Sequence, residues 1–205
     1  MCILSRHFRY ARDVGYNLDT MNDKLQQTKL NAISAKLLHR NAKWKYELYN
    51  NLFIILTIIV PIAFLVAQYV AKGTKWEKEF EYLSIILSGL LIISALISSL
   101  ILKVNEKITI HKMGLKSNLY IINECDNMAK LNDSDQEWFF RYVTEVDSLD
   151  NDTFAKTSNR TKKKTYRNAL KEIEPGNYSI TCPLCNKSPW KYEKGDCQLC
   201  GNKTI

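Results

Sequence analysis

The chain has 205 residues, room for one or two domains, of which 46% are hydrophobic; 29 Lys and Arg stand against 21 Asp and Glu, a net charge of +8. That balance favours anionic surfaces, lipid headgroups or nucleic acid, without choosing between them. Four of the six cysteines fall within residues 182–200, leaving Cys2 and Cys125 over. This excludes a secreted disulfide framework, whose cysteines scatter along the chain, and points to a reducing compartment.

The opening "SRHFRYARD" interleaves Arg6, Arg9 and Arg12 with Phe8 and Tyr10. Such a stretch can lie on a headgroup surface or dock as a short helix on the rest of its domain. Gly15 marks a break, and a helix is expected from about Thr20, with Leu30, Ile33, Leu37, Trp44 and Leu48 near helical spacing.

Two apolar blocks follow, Leu52 to Ala71 and Leu83 to Leu102, each with thirteen Leu, Ile, Phe or Val and no charge. Twenty residues at about 1.5 Å rise cover the roughly 30 Å hydrocarbon core. Thirteen such side chains give about -4 to -8 kcal/mol towards insertion, so both blocks read as membrane spans rather than buried core helices. The first begins too deep in the chain and is too long to be a cleaved signal. Pro61 at its centre removes one backbone hydrogen bond, which predicts a tolerated kink. The connector Lys72 to Tyr82 carries Trp76 and Tyr82, side chains suited to a membrane–water interface. Two spans put both termini on one side, and economy of export makes that side the cytoplasm. In the second span Ser84, Ser88, Leu91, Ala95 and Ser98 share a helix face, which can pack on the first span, join copies into an oligomer or line a wet pore.

Beyond the spans, Ile101, Ile108, Leu115 and Ile122 recur every seven residues; Val104 and Cys125 take the companion positions, which His111 and Asn118 interrupt. This predicts a helix packed on a partner, the pre-span helix being the nearest. Ser134 and Glu137 form a capping box for an amphipathic helix bearing Phe139, Val143 and Val146. Residues 150–175 read as a basic linker with room for a short helix. Its run "RTKKKTYR", with Arg160, Lys162, Lys163, Lys164 and Arg167, is either a solvated face or a contact for lipid or nucleic acid.

Residues 182–200 read "CPLCNKSPWKYEKGDCQLC". Cys182, Cys185, Cys197 and Cys200 can supply four thiolates to one tetrahedral zinc, each two-residue gap letting a pair curl with both sulfurs towards one point. Pro183 stiffens the first knuckle, and Gly201 supplies backbone freedom after the second. An iron–sulfur cluster and a redox dithiol are the competitors; two pairs and no thioredoxin-like unit favour zinc. With every coordination place filled by cysteine the ion is structural, holding a module too small to build its own core. His7, His39 and His111 are scattered, and no nucleophile elbow, phosphate loop or paired-carboxylate constellation points to an enzyme.

The fold class expected is an all-α membrane protein, a two-helix transmembrane hairpin with cytosolic helical extensions, plus a small C-terminal β-rich zinc ribbon. Its parts are residues 1–149 (1–51 cytosolic, 52–71 first span, 72–82 connector, 83–102 second span, 103–149 cytosolic), the linker 150–175 and the ribbon 176–205. Taken together, "RHFRYAR", "NAISAKLLHRNAKW", the two spans, the helical return and the terminal cysteines resemble the SLATT family of two-span proteins from prokaryotic conflict systems. The eleven residues between Cys185 and Cys197 match its mobilome CxxCx(11)CxxC branch. The resemblance implies a defence effector of the bacterial inner membrane that oligomerises in the lipid bilayer and permeabilises it. It also implies a sensor or nucleotide-signalling enzyme as partner. The alternative is a membrane-tethered zinc-ribbon module recruiting nucleic acid or a protein.

Overall fold

The computed structural model describes residues 21–97, 103–131 and 136–204. The head around Arg6 to Arg12, Gly15, Thr20, Ser98, the end of the second span, Ile101 and Ser134 lie outside them. Five helices run through the described residues: α1 Met21–Ala71, α2 Glu77–Leu96, α3 Val104–Met128, α4 Glu137–Thr153 and α5 Asn159–Ile173. The chain divides into two compact units, residues 41–111 and residues 1–40 with 112–205; α1 and α3 contribute to both.

The unit of residues 41–111 is a helical hairpin. α1 continues unbroken through Pro61, and it and α2 are both long and apolar enough to cross a membrane. The turn between them is tied locally. Thr74 donates from its amide (2.9 Å) and its hydroxyl (2.7 Å) to the Ala71 carbonyl, and the Gly73 amide donates to the Glu77 carboxylate at 2.9 Å. Trp76 and Tyr82 are exposed beside that turn. No residue of α2 is buried. Among its half-covered positions Phe80, Ser84, Leu87, Leu91 and Ser94 recur at three and four residues, as do Phe53, Thr57, Val60, Phe64 and Ala67 on α1. The Gln68 side-chain amide donates to the Ser84 hydroxyl at 2.9 Å and fixes how these faces meet. Near the other end of the hairpin, His111 is buried and stacks on Tyr46, ring centroids 5.7 Å apart.

The second unit has two cores. Leu25 and Ala32 of α1 pack with Ile121, Cys125 and Met128 of α3 and Phe139, Val143 and Val146 of α4. Leu30, Ile33 and Leu37, on the neighbouring face of α1, pack with Tyr166, Ala169 and Leu170 of α5 and with Cys182, Cys197 and Cys200. Trp44 and Leu48, which share the sequence periodicity of that face, are exposed. Ion pairs Lys29–Asp126 (2.7 Å) and Lys36–Glu172 flank the two cores.

At the start of α4 the buried Gln136 closes a helix end. Its amide donates to the carbonyls of Met128 (2.9 Å) and Leu131 (3.0 Å), satisfying the last turn of α3. α5 fills much of the stretch 150–175. It starts at a Ser158 cap, whose hydroxyl accepts from the Thr161 amide, and buries Thr165, Tyr166, Ala169 and Leu170.

The C-terminal module corrects one expectation: it is not β-rich. Its ladder, among the described residues, is a single antiparallel bridge between Lys194 and Asn202. The reason lies in how the backbone bonds are used. Each cysteine pair closes its own turn, Asn186 donating to Cys182 (2.8 Å) and Gly201 to Cys197 (3.0 Å). Few amides remain to extend a hairpin.

Candidate metal centre

Two turns of the same design build the site. In each, the residue after the second cysteine has a left-handed backbone, Asn186 at φ 53° and Gly201 at φ 73°. Glycine and asparagine are the residues that tolerate this region best. In each, the first cysteine's amide donates five residues ahead, Cys182 to Lys187 (2.9 Å) and Cys197 to Asn202 (3.0 Å). The amides of Leu184 and Cys185 point at the Cys182 sulfur, and those of Leu199 and Cys200 at the Cys197 sulfur. The sequence shows this symmetry as "CPLCNK" against "CQLCGN". Leu184 and Leu199, equivalent in the two turns, both pack on the core shared with α1 and α5.

The four sulfurs lie within 4.8 Å of one another, with Cys182–Cys197 at 3.9 Å and Cys185–Cys200 at 3.5 Å. Cys182, Cys197 and Cys200 are buried and Cys185 is partly exposed. Four thiols so placed cannot all ionise unaided. Hydrogen bonds to Cys197 and Cys200, together with burial, push Cys182 up, while Cys182 and Cys200 hold Cys197 well below the usual thiol range. A divalent cation at the common point relieves this conflict by replacing the shared protons. The set can therefore hold one metal ion.

Positive charge stands next to that point. Lys163 and Arg167 of α5 pack over Gly201, where a β-carbon would lie 3.2 and 3.3 Å from them, and the Arg167 guanidinium donates to the Cys200 carbonyl. Asn202, 1% exposed, braces the loop, accepting from the Glu193 amide at 2.9 Å and donating to the Ser188 carbonyl at 3.2 Å. Of the basic run, Arg160 and Lys164 are exposed, Lys162 is half-buried, and Lys163 and Arg167 are engaged over the second knuckle.

The chain matches the family model of the mobilome CxxCx(11)CxxC protein over residues 22–203. It belongs to that family. The family's eponymous cysteines are the four whose sulfurs converge. No curated protein and no solved structure matches the chain.

The other expected site residues form no such cluster. Ser84 is engaged with Gln68, Leu91 and Ala95 are half-covered, and Ser88 is exposed. Sequence reasoning missed a second constellation in the same unit. Asp150, buried, accepts from His39 Nε2 at 2.8 Å and from the Asn118 amide at 2.7 Å. Phe154 lies edge-on to the His39 ring at 4.6 Å, and a β-carbon on Gly114 would lie 2.2 Å from that ring. The available signal was the interruption of the α3 seam at His111 and Asn118: both are in the seam, on polar or aromatic partners.

Proposed function

We propose that this family member is a SLATT-type membrane effector whose two spans insert in the bacterial inner membrane with both termini cytoplasmic, and whose metal-bearing unit receives the trigger. The observation that carries this reading is the surface of the hairpin. α1 from Leu52 onward and α2 present Leu, Ile and Val outward, about half or more exposed at most positions. Hydrocarbon along helices of this length, or apolar helices packed beside them in it, covers so much apolar surface. On this reading the ion is zinc, the usual occupant of four cysteines in two Cys-x-x-Cys pairs, and sulfurs 3.5 and 3.9 Å apart are compatible with a tetrahedron of edge about 3.8 Å, as bonds of roughly 2.3 Å give. An iron–sulfur cluster would spread its thiolates wider. Four cysteines leave no open place for water, so the zinc serves the fold. A sensor or signalling enzyme is the partner this reading requires.

The spans contain the discriminating position. Ser84 and Leu91 are used within the hairpin, whereas Ser88 is exposed on α2. A bulky side chain there spares the hairpin and blocks close approach of a second copy. Expression of the intact chain with its neighbouring genes during phage infection should depolarise the membrane and admit dye, and Ser88→Leu should abolish both. An intact membrane throughout would sink this reading.

One observation favours a second reading, a membrane-tethered binding module: the metal-bearing unit presents exposed aromatic rings partnered by cations. A tether would keep its activity after both spans are exchanged for unrelated ones.

A further inference from the structure

Around the metal centre, α5 and the cysteine module form one face. Arg167 lies 3.7 Å over the Tyr192 ring and Lys171 lies 4.7 Å over Trp190, which packs on Tyr178 with ring centroids 5.0 Å apart. The rings are exposed, Tyr178 at 72%, Tyr192 at 47% and Trp190 at 39%. Residues 159–204 carry ten Lys or Arg against four Asp or Glu, an excess larger than the two negative charges that four thiolates leave on a divalent ion. Three of the acids are already held: Glu172 by Lys36, Glu174 by Asn177 and Asp196 by Thr204. The face therefore seeks a polyanion.

Two polyanions are plausible in chemistry, a headgroup layer and a nucleic-acid strand, and the composition separates them. Trp and Tyr suit the polar edge of a membrane, but a face buried down to the acyl boundary carries Leu or Phe anchors as well. Among the described residues from 159 onward the large exposed apolar side chains are Tyr178, Trp190 and Tyr192, with no Leu, Ile, Phe or Met. Aromatic faces beside cations suit unpaired bases stacked along a neutralised backbone. We propose that this face binds single-stranded nucleic acid, its bases stacking at Tyr178 and Trp190 and its phosphates reaching Lys164 and Lys171, which share a side of α5 with Arg167. The inference names the ligand of the tether reading and rests on that reading only in bringing the strand to the membrane.

The test uses the full chain, zinc-loaded, in detergent micelles, with fluorescein-labelled oligothymidine and oligouridine strands read by anisotropy. Binding is expected, weakening steeply between about 50 and 200 mM salt. Tyr178→Ala with Trp190→Ala should weaken it about tenfold or more, while Trp190→Phe, which keeps a ring, should retain most of it. Zinc content measured on each variant shows that the module is still folded. Absence of binding by the zinc-loaded chain overturns the proposal. So does unchanged affinity in the double alanine variant, or equal binding of polyglutamate or phosphatidylglycerol vesicles that the alanines also weaken. Recruitment of the labelled strand to proteoliposomes is read separately: its failure with binding intact would sink the tether reading alone.

Discussion

Within the single helix α1, Leu30, Ile33 and Leu37 are 5% exposed or less, whereas Ile58, Leu65 and Val66 are 56–66% exposed. The residue types hardly differ; the partners do. Residues 41–111 turn their Leu and Ile outward and use a polar pair, Gln68 and Ser84, where the two long helices meet. The other unit turns apolar side chains inward and mates its buried polar ones with each other or with backbone, His39 with Asp150 and Asn118, the four cysteines together, and Gln136 and Asn202 with main-chain groups. In a bilayer the driving force between helices is weak and hydrogen bonds and close packing decide contacts; in water apolar burial drives folding and each buried polar group needs a mate.

The largest break in that contrast should come from the metal. Three of the four cysteines belong to the core that holds Leu30, Ile33, Leu37, Tyr166 and Leu170 together. Stripping the ion with a chelator, or Cys197→Ser, should cost this unit several kcal/mol, enough to open it to protease between residues 176 and 204. The helicity of the hairpin should persist. Limited proteolysis with circular dichroism in micelles checks both halves, and simultaneous loss of the span helices would show that the two units do not fold on separate terms.

Next comes Asp150. Replacing it by Ala removes the buried acceptor shared by His39 and Asn118 and should cost about 3 kcal/mol, seen as lowered denaturant resistance of the unit that holds the cysteines. Gly114→Ala presses on the same ring and should cost about 2 kcal/mol. If Asp150→Ala is neutral, the set is not the anchor that its burial implies.

Asp147 sharpens the comparison through pH. Burial first, and the neighbouring Asp150 second, raise its carboxyl from 3.8 to about 6. A raised folded-state value means the neutral form favours folding. The contribution is complete below about pH 4 and is lost as pH rises through about 6. Asp147→Asn should therefore stabilise the unit at pH 7 by about 1 kcal/mol and flatten its stability between pH 4 and 6. Thermal melts across that range measure it.

How much was legible follows from these same residues. The two helices of membrane-crossing length and the converging cysteines are legible in local patterns, apolar runs and cysteine spacing, which need no knowledge of what packs where. The β-rich module was misjudged because each knuckle closes its own turn at Asn186 and Gly201, a use of backbone that composition does not reveal. Asn186 in the left-handed region was available to sequence reasoning, since asparagine adopts it more readily than most. In the sequence pattern His111 and Asn118 interrupt a seam. Their partners, Tyr46 and Asp150, lie 65 and 32 positions away along the chain, beyond any local pattern. The outward half of α2 was legible as apolar but not as to which of its serines meets the first span.

The smallest effect expected lies at that contact. Gln68 donates to Ser84, whose own hydroxyl donates to the Glu81 carbonyl at 2.8 Å. Removing the amide with Gln68→Leu deletes the hydrogen bond yet adds apolar surface that lipid accepts without penalty. Interhelical bonds of this kind average about 0.6 kcal/mol in membranes, and that is the loss to expect in the hairpin's stability to denaturing detergent. Ser84→Ala should match it, and the double variant should lose no more than either single, because both remove the same bond. An additive double variant would mean the two side chains act apart, and that the half-covered faces of α1 and α2 hold together by packing alone.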